Sequence, residues 1–449
     1  MPKKKTALTI EERLQQALVP AEEQPYEVPE NWVWVRLGEV NKYISKSVNP
    51  ISEPDKIFEL YSVPSMVDNY PEIIAGSDIG SSKQSVCKKD VLLCKINPRI
   101  NRVWKVSQFT DNELIASSEW IIIRNNHINE NYLMYCFQSK YFREFMLSNV
   151  SGVGGSLMRA QPKYVQTYPI PLPPLSEQQR IVERIEELFA KLDEAKERLQ
   201  EVADSFAVRK AAILHKAFTG ELIGKKIEQL VPLESLVDLI KIGPFGSALH
   251  ESDYIENGIP LVNPKHIVQQ HIVPQSKISI SEEKAEELSS YRLKANDIVL
   301  GRRGEMGRCA PVSAREENWI CGTGSMIIRL KEEYDARLYS LILGSQATVT
   351  YLENSAVGST LKNLNEKIVR KIPVPQFDIE EQHEIVRLID DLLARERSAQ
   401  QATEQALASI DLMKKSILAR AFRGELDTNK ASEASALELL RQVLAENRS

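Results

Sequence analysis

The sequence predicts an α+β protein built twice: two mixed α/β modules, each followed by one very long helix of coiled-coil type, related by an internal pseudo-two-fold duplication. Three observations carry this. The stretch Ser151 to Leu222 recurs without a gap as Ser355 to Leu426, and 25 of the 72 aligned positions are identical. The identities are of several physical kinds: Pro169 and Pro171 fall on Pro373 and Pro375, Glu177-Gln178 on Glu381-Gln382, and "AFTGEL" on "AFRGEL". In each copy a proline-broken strand leads into a helical apolar pattern much longer than an ordinary domain helix. A solenoid repeat would have a period of roughly 20 to 50 residues. This is instead a duplicated half-protein, and two similar halves imply a target with two similar halves.

The first copy fixes the helix. Ser176 with Gln179 has the form of a capping box at its start, and Gly220 follows its end. Ile181, Ile185, Leu188, Leu192, Ala195, Leu199, Val202 and Phe206 are spaced alternately four and three apart, the pattern of a coiled-coil seam. From Ser176 to Phe218 such a helix is about 64 Å long. In the second copy Ile385, Ile389, Leu392 and Ile410 keep the seam, while Glu396 and Thr403 replace Leu192 and Leu199. That irregularity favours pairing of the two helices with each other, or with a partner's helices, over two separate homodimers.

The rest of the chain divides around these helices. Residues 1–30 form an N-terminal extension, in which Thr9 and Glu12 make a capping box opening a short amphipathic helix through Val19, followed by a proline-rich linker. Residues 31–165 are the first module, 166–222 the central helix region, 223–368 the second module, 369–426 the C-terminal helix region and 427–449 a tail. Each module opens with an apolar strand-like segment, "WVWVRLGEV" or "VPLESLVDLI". Each then carries an acid-led strand starting at Asp90 or Asp297, and a further strand containing Arg124 or Arg329. A Tyr- and Leu-rich helix and a glycine turn, "SGVGGS" or "SAVGST", close it.

Composition is that of a soluble globular protein, with 43% hydrophobic and 27% charged residues. Five cysteines, odd in number and without C-x-x-C spacing, fit a reducing compartment and buried thiols rather than disulfides or zinc. No apolar stretch approaches a membrane span or a signal-peptide core, so a cytoplasmic protein is expected.

The net charge of −5 does not advertise a polyanion ligand, but the charge is unevenly placed. Between Lys83 and Lys105 lie seven basic residues and one acid, Asp90; between Arg292 and Arg308 lie five basic residues against Asp297 and Glu305. A basic cluster at the equivalent place in both halves can neutralise phosphates. Arginine recognises guanine edges, and Asn or Gln recognises adenine. The candidates are therefore Lys83, Gln84, Lys88, Lys95, Arg99, Asn101, Arg102 and Lys105 in the first module, and Arg302, Arg303 and Arg308 in the second. Arg159 and the Lys362-Asn363 pair lie near the glycine turns and join them.

"IPLPPLSEQQRIVERI" (Ile170 to Ile185), its copy "VPQFDIEEQHEIVRLI" (Val374 to Ile389), the "AFTGEL" and "AFRGEL" ends and "GPFGSALHESDY" (Gly243 to Tyr254) resemble the specificity subunit of type I restriction-modification enzymes. The likeness runs from Trp32 to Leu426. It implies two target-recognition domains, each reading half of an asymmetric bipartite DNA site, separated by two antiparallel coiled-coil helices. It also implies two methyltransferase subunits docked on the helices and, through them, two restriction/translocase subunits. S-adenosylmethionine, ATP and Mg would then be bound by those partners, with no cofactor and no metal in this chain. The N-terminal extension and the polar residues of the second seam depart from the pattern.

The residues themselves supply no catalytic motif. An amino-methyltransferase [ND]-P-P-[FYW] string is absent, "GELIGK" is one residue short of a P-loop, and the six histidines form no H-E-x-x-H. Two other readings stay open: a non-catalytic coiled-coil scaffold that binds only protein, and the specificity component of a related enzyme that fuses cleavage and methylation.

Overall fold

The computed structural model describes residues 8–152, 158–227, 229–245, 248–355 and 363–446. It divides into two compact units, Met1–Arg198 with Ala406–Ser449, and Leu199–Gln405. This division differs from the segments expected above. The helix regions are not bodies of their own, because each unit takes one module together with part of both long helices.

The duplicated stretch builds the same junction in both units. In the first, Val33–Arg36 pairs antiparallel with the proline strand Pro169–Leu172; in the second, Val231–Pro232 pairs with Pro373–Val374. Two-stranded pairing suits proline, which lacks the N–H that a central strand must donate. The strand-like openings are broken in both units, by a helical turn at Leu37–Val40 and a 3₁₀ turn at Leu233–Ser235. At each break a leucine N–H reaches back to the stretch before the prolines, Leu37 to the Tyr168 carbonyl (3.0 Å) and Leu233 to that of Ile372 (2.9 Å).

Away from the junction the modules keep a common strand arrangement and differ in the number of strands. The first has a three-stranded sheet, with Val91–Cys94 between Val103–Lys105 and Trp120–Ile123, and a separate five-stranded sheet. The second has a four-stranded sheet in the order Val237–Ile242, Ser325–Leu330, Asp297–Gly301, Cys309–Pro311. In both, the acid-led strand lies beside the strand carrying, or just preceding, the arginine. The Tyr- and Leu-rich helices are Glu130–Gln138 and Ala336–Leu343, capped by Asn129 and Asp335.

The repeated Glu-Gln pair shows why the duplication is so literal here. Gln178 and Gln382 are fully buried. The Gln178 carboxamide accepts from the Asn129 N–H (2.9 Å) and donates to the Pro173 carbonyl (2.9 Å); Gln382 accepts from Asp335 (2.8 Å) and donates to Phe377 (3.1 Å) and Glu333 (2.8 Å). Each glutamine thus ties the first turn of a long helix to the cap of its module's helix. A tyrosine adds a second tie: Tyr132 donates to the Pro171 carbonyl (2.8 Å) and Tyr339 to that of Pro375 (3.1 Å).

The long helices are Leu175–Phe218 and Ile379–Ala421. The first starts ahead of the expected Ser176 cap, because the Glu177 and Gln178 N–H groups bond to the Pro174 carbonyl (2.9 and 3.0 Å). Gly220 and Gly424 follow the ends at φ of +81° and +75°, the left-handed conformation that stops a helix. In the first unit Asp193 meets Lys414 (2.6 Å) and Lys196 meets Asp411 (3.5 Å), an antiparallel register. In the second unit Arg209 grips the Glu396 carboxylate (3.0 Å). The polar seam residues are therefore satisfied: Glu396 by Arg209, and buried Thr403 by its own helix, through Ala399 (2.8 Å).

The expected seam is only partly continuous. Ile181, Ile185, Ile385 and Ile389 are buried, but within the module cores; Leu188 packs at the edge of the first core, and Phe206 and Ile410 are buried farther along. Leu192, Leu199 and Leu392 are half-buried, whereas Ala195 and Val202 are exposed. Pairing between two helices covers one narrow stripe and leaves its flanks open.

The first unit closes through both ends of the chain. The Thr9–Glu12 capping box forms, and the helix it opens, Ile10–Ala17, stops short of Val19. Leu14 and Ala17 share a core with Leu439, Leu440, Val443 and Leu444 of the tail helix Ala436–Ala445. Fully buried Glu177 accepts from the Trp32 indole (2.7 Å) and from Asn429 (2.9 Å). Burial raises its pKa, against the pull of these two donors. Arg180 holds Glu433 through two 2.8 Å bonds, which lowers the Glu433 pKa. All five cysteines are free thiols; four are buried as expected, but Cys87 is exposed because it opens the turn before Asp90.

Gln178→Leu keeps the side-chain volume but strands a buried N–H and a buried carbonyl. The expected cost is about 2–4 kcal/mol, seen as a lower midpoint for the first unit in denaturant unfolding followed by hydrogen exchange. Gln382→Leu should act in the same way on the second unit.

Candidate nucleic-acid interface

The acid-led strands carry the same electrostatic device in both units. Asp90 is 2% exposed; it accepts the Cys87 N–H (2.8 Å) and a two-pronged bond from the Arg124 guanidinium (2.7 and 2.6 Å). Asp297, fully buried, accepts the Lys294 N–H (2.8 Å) and the same two bonds from Arg329 (both 2.7 Å). The carboxylate raises both arginine pKa values. A buried charge is tolerable only when fully paired in this way, and the pairing locks the start of the strand to its neighbour.

At the far end of that strand the basic loop emerges, and in both units the segment after the glycine turn lies along it. In the first unit the Lys95 N–H bonds to the Glu119 carbonyl (3.0 Å), the Ala160 N–H to that of Lys95 (2.8 Å) and the Asn97 N–H to that of Met158 (2.7 Å). In the second, the Leu364 N–H bonds to the Arg302 carbonyl (3.0 Å), and Arg303 bridges to Asn363. Ala160 and Leu364 are equivalent positions of the duplication. The layout is therefore one architecture used twice: a basic loop at a strand end with a returning segment beside it.

This geometry splits the sequence candidates. Lys95, Arg99, Asn101, Arg102 and Arg159 gather at one end of the first module, and Arg302, Arg303, Arg308 and Asn363 gather at the matching end of the second. Lys88 and Lys105 lie at the opposite end of the hairpin, some 13 Å of strand away. Lys83 and Gln84 sit on another strand, Lys83–Ser85. Lys362 lies outside the described residues, as does most of each glycine turn.

Several candidates also have internal work. Gln84 donates to the Ser117 and Trp120 carbonyls, Asn101 to that of Phe137 (3.2 Å), Lys105 to Asn131 (2.7 Å) and Lys83 to Ser81. Burial lowers the Lys83 pKa. Arg159 is paired with Glu119 (both bonds 3.2 Å), and Arg308 with Glu305. Lys88, Lys95, Arg99 and Arg303 have no ion-pair partner among the described residues, and Arg99 and Arg303 are exposed at the loop ends. Arg302 donates to the Leu364 carbonyl (3.2 Å); burial first, and then the neighbouring Arg303 charge, lowers its pKa. Two adjacent guanidiniums without a carboxylate between them favour an anion beside them.

Residues 29–204 and 234–407 match the family of the type I restriction modification DNA specificity domain. The chain belongs to this family. Among its relatives is the specificity subunit of the type I restriction enzyme EcoBI of Escherichia coli, 30% identical over 307 residues that cover 62% of this chain and 64% of that protein. The chain thus spans just under two thirds of that subunit's length. The EcoKI subunit of Escherichia coli strain K12 is 25% identical over 71% of this chain and 72% of its own. The crystal structure of the HsdS subunit from Thermoanaerobacter tengcongensis shares the fold, with a TM-score of 0.65 over 89% of this chain and 99% of that one at 22% identity. A chain from a type I restriction-modification assembly has a TM-score of 0.66 over 89% and 100%, also at 22% identity.

The two matched segments of the family correspond to the two copies of the duplication, so the equivalences drawn above follow the family's own repeat. Sequence reasoning missed Glu119, whose only signal was a carboxylate just ahead of the strand Trp120–Ile123. Among the described residues no cluster of three metal-ligating side chains occurs, and no helix is long and apolar enough to cross a membrane.

Arg303→Ala is expected to weaken DNA binding about equally across sequences and to reduce the log–log salt slope by about one. Lys105→Ala, whose ammonium is held by Asn131, should leave that slope unchanged. Fluorescence anisotropy titrations at several salt concentrations with a DNA duplex distinguish the two.

Proposed function

We propose that this chain is the DNA-specificity subunit of a type I restriction-modification complex, each unit reading one half of an asymmetric bipartite site. The single observation that carries the reading is the twice-built interface: a basic loop with an exposed arginine, Arg99 or Arg303, that has no ion-pair partner among the described residues, at the far end of a strand anchored by a buried Asp–Arg pair, on two modules of different sequence. A scaffold that bound only protein would have no need to keep one cationic architecture on two modules of unlike sequence. The antiparallel helices, with their exposed flanks, serve two methyltransferase subunits, and through them two restriction/translocase subunits. Adenine methylation and cleavage belong to those partners, which bind S-adenosylmethionine, ATP and Mg. The chain contributes no catalytic residue and works in the cytoplasm, where its DNA lies.

The purified chain is expected to turn over neither S-adenosylmethionine nor ATP. With its methyltransferase partner it should direct methylation to one bipartite sequence, read by methylome sequencing of cells carrying both genes. Turnover by the chain alone, or methylation without a bipartite motif, would refute the assignment.

A second expectation concerns spacing. Inserting four helix-forming residues directly after Phe218 extends the helix by roughly 6 Å, or about one or two base pairs. The half-sites should keep their sequences while the unspecified gap between them grows. Altered half-sites with an unchanged gap would rule out a spacing role for the helix.

A further inference from the structure

The motif "GPFGSALHESDY" places an aromatic ring where the function described so far does not use it. Phe245 is 68% exposed, more than any other aromatic side chain among the described residues. A lone exposed apolar residue usually needs no explanation; its setting makes this one different. The strands Val237–Ile242 and Asp297–Gly301 flank Ser325–Leu330 on either side and end level with each other. The Gly243 N–H bonds to the Ser325 carbonyl (2.9 Å), and one step farther the Arg302 N–H bonds to that of Gly324 (2.8 Å). The chain segments that carry Phe245 and Arg303 therefore leave the same end of the same sheet from strands two spacings apart, roughly 10 Å.

The backbone leading to the ring is closely packed at Gly243. A Cβ on Gly243 would lie 2.0 Å from the Gly322 carbonyl oxygen, and one on Gly322 would lie 2.2 Å from the Asn263 side chain. Only glycine allows these segments to approach so closely, and the price of that fit is that no substitution is tolerated there. A phenyl ring turned toward solvent near two guanidiniums that have no carboxylate partner among the described residues suits a ligand with anionic walls and an apolar floor. The major groove is about 12 Å wide, bordered by phosphates, and its one apolar feature is the thymine C5 methyl group, which phenylalanine is among the residues to contact.

We propose that Phe245 is a specificity-determining residue of the second unit, its ring packing on a thymine methyl in that unit's half-site while Arg303 holds a flanking phosphate. The proposal rests on the DNA-specificity reading above. The half-site of an adenine methyltransferase contains at least one A·T pair, so a thymine is present to be read.

The experiment uses the full chain in complex with its methyltransferase partner and a duplex bearing the site found by methylome sequencing. Each thymine of both half-sites is replaced in turn by deoxyuracil, which removes only the methyl group, and binding is measured for the wild type and for Phe245→Ala. One replacement, in one half-site, is expected to weaken wild-type binding about fourfold, the worth of one buried methyl group. The same replacement should leave Phe245→Ala unchanged, and Phe245→Leu should recover part of the sensitivity. Tight wild-type binding with a flat uracil scan, or equal losses in the wild type and Phe245→Ala, would overturn the role of Phe245 and leave the DNA reading intact. Failure of the wild-type complex to bind the unmodified duplex would instead overturn the DNA reading itself.

Discussion

A buried carboxamide at the start of each long helix is the constraint on which the rest of the structure depends. Gln178 and Gln382 each bond to the capped end of a module helix and to the chain just before their own helix. A side chain that both donates and accepts in a dry junction fixes direction as well as distance, because either partner left alone would be an uncompensated buried polar group. A hydrophobic contact at the same place would hold the parts together without fixing their angle. The tyrosine bonds to Pro171 and Pro375 complete the joint. The joint is therefore copied almost letter for letter, while the modules it carries have been free to change.

That freedom is visible in the basic loops. Both modules keep the buried Asp–Arg pair at one end of the acid-led strand, and at the other end they present different residues: Lys95, Arg99 and Arg102 in one, Arg302, Arg303 and Arg308 in the other. The first keeps its loop in place with Glu119 and Arg159, the second with close glycine contacts. The buried ion pair and the exposed cations lie at opposite ends of the same strand, so the basic end can change without unfolding its support.

The architecture was legible in the sequence where it depends on periodicity and punctuation: the duplicated stretch, both long helices, the Thr9–Glu12 cap and, in each module, the acid-led strand and the arginine strand after it. The Ser176 cap was misread because Pro174, two residues earlier, offers its carbonyl, which no side-chain pattern reveals. Of the candidate site, composition located the basic windows but could not resolve their two ends. Lys88 and Lys105 are near neighbours of Lys95 and Arg102 in sequence, and strand geometry sends them to the other end of the hairpin. The inward bonds of Gln84 and Asn101 depend on partners 33 to 36 residues away, and local pattern carries no information about those.

The unequal continuity of the two units has a consequence for how the protein is made. Leu199–Gln405 is one uninterrupted segment and has all its core residues as soon as it leaves the ribosome. The other unit needs Ala406–Ser449 to cover Leu14 and Ala17 and to supply the partners of Glu177 and Arg180. At about 5–20 residues per second, the module synthesised first waits on the order of tens of seconds for the segment that completes it. The N-terminal module is thus the last to mature, and a nascent or prematurely terminated chain holds only one finished unit.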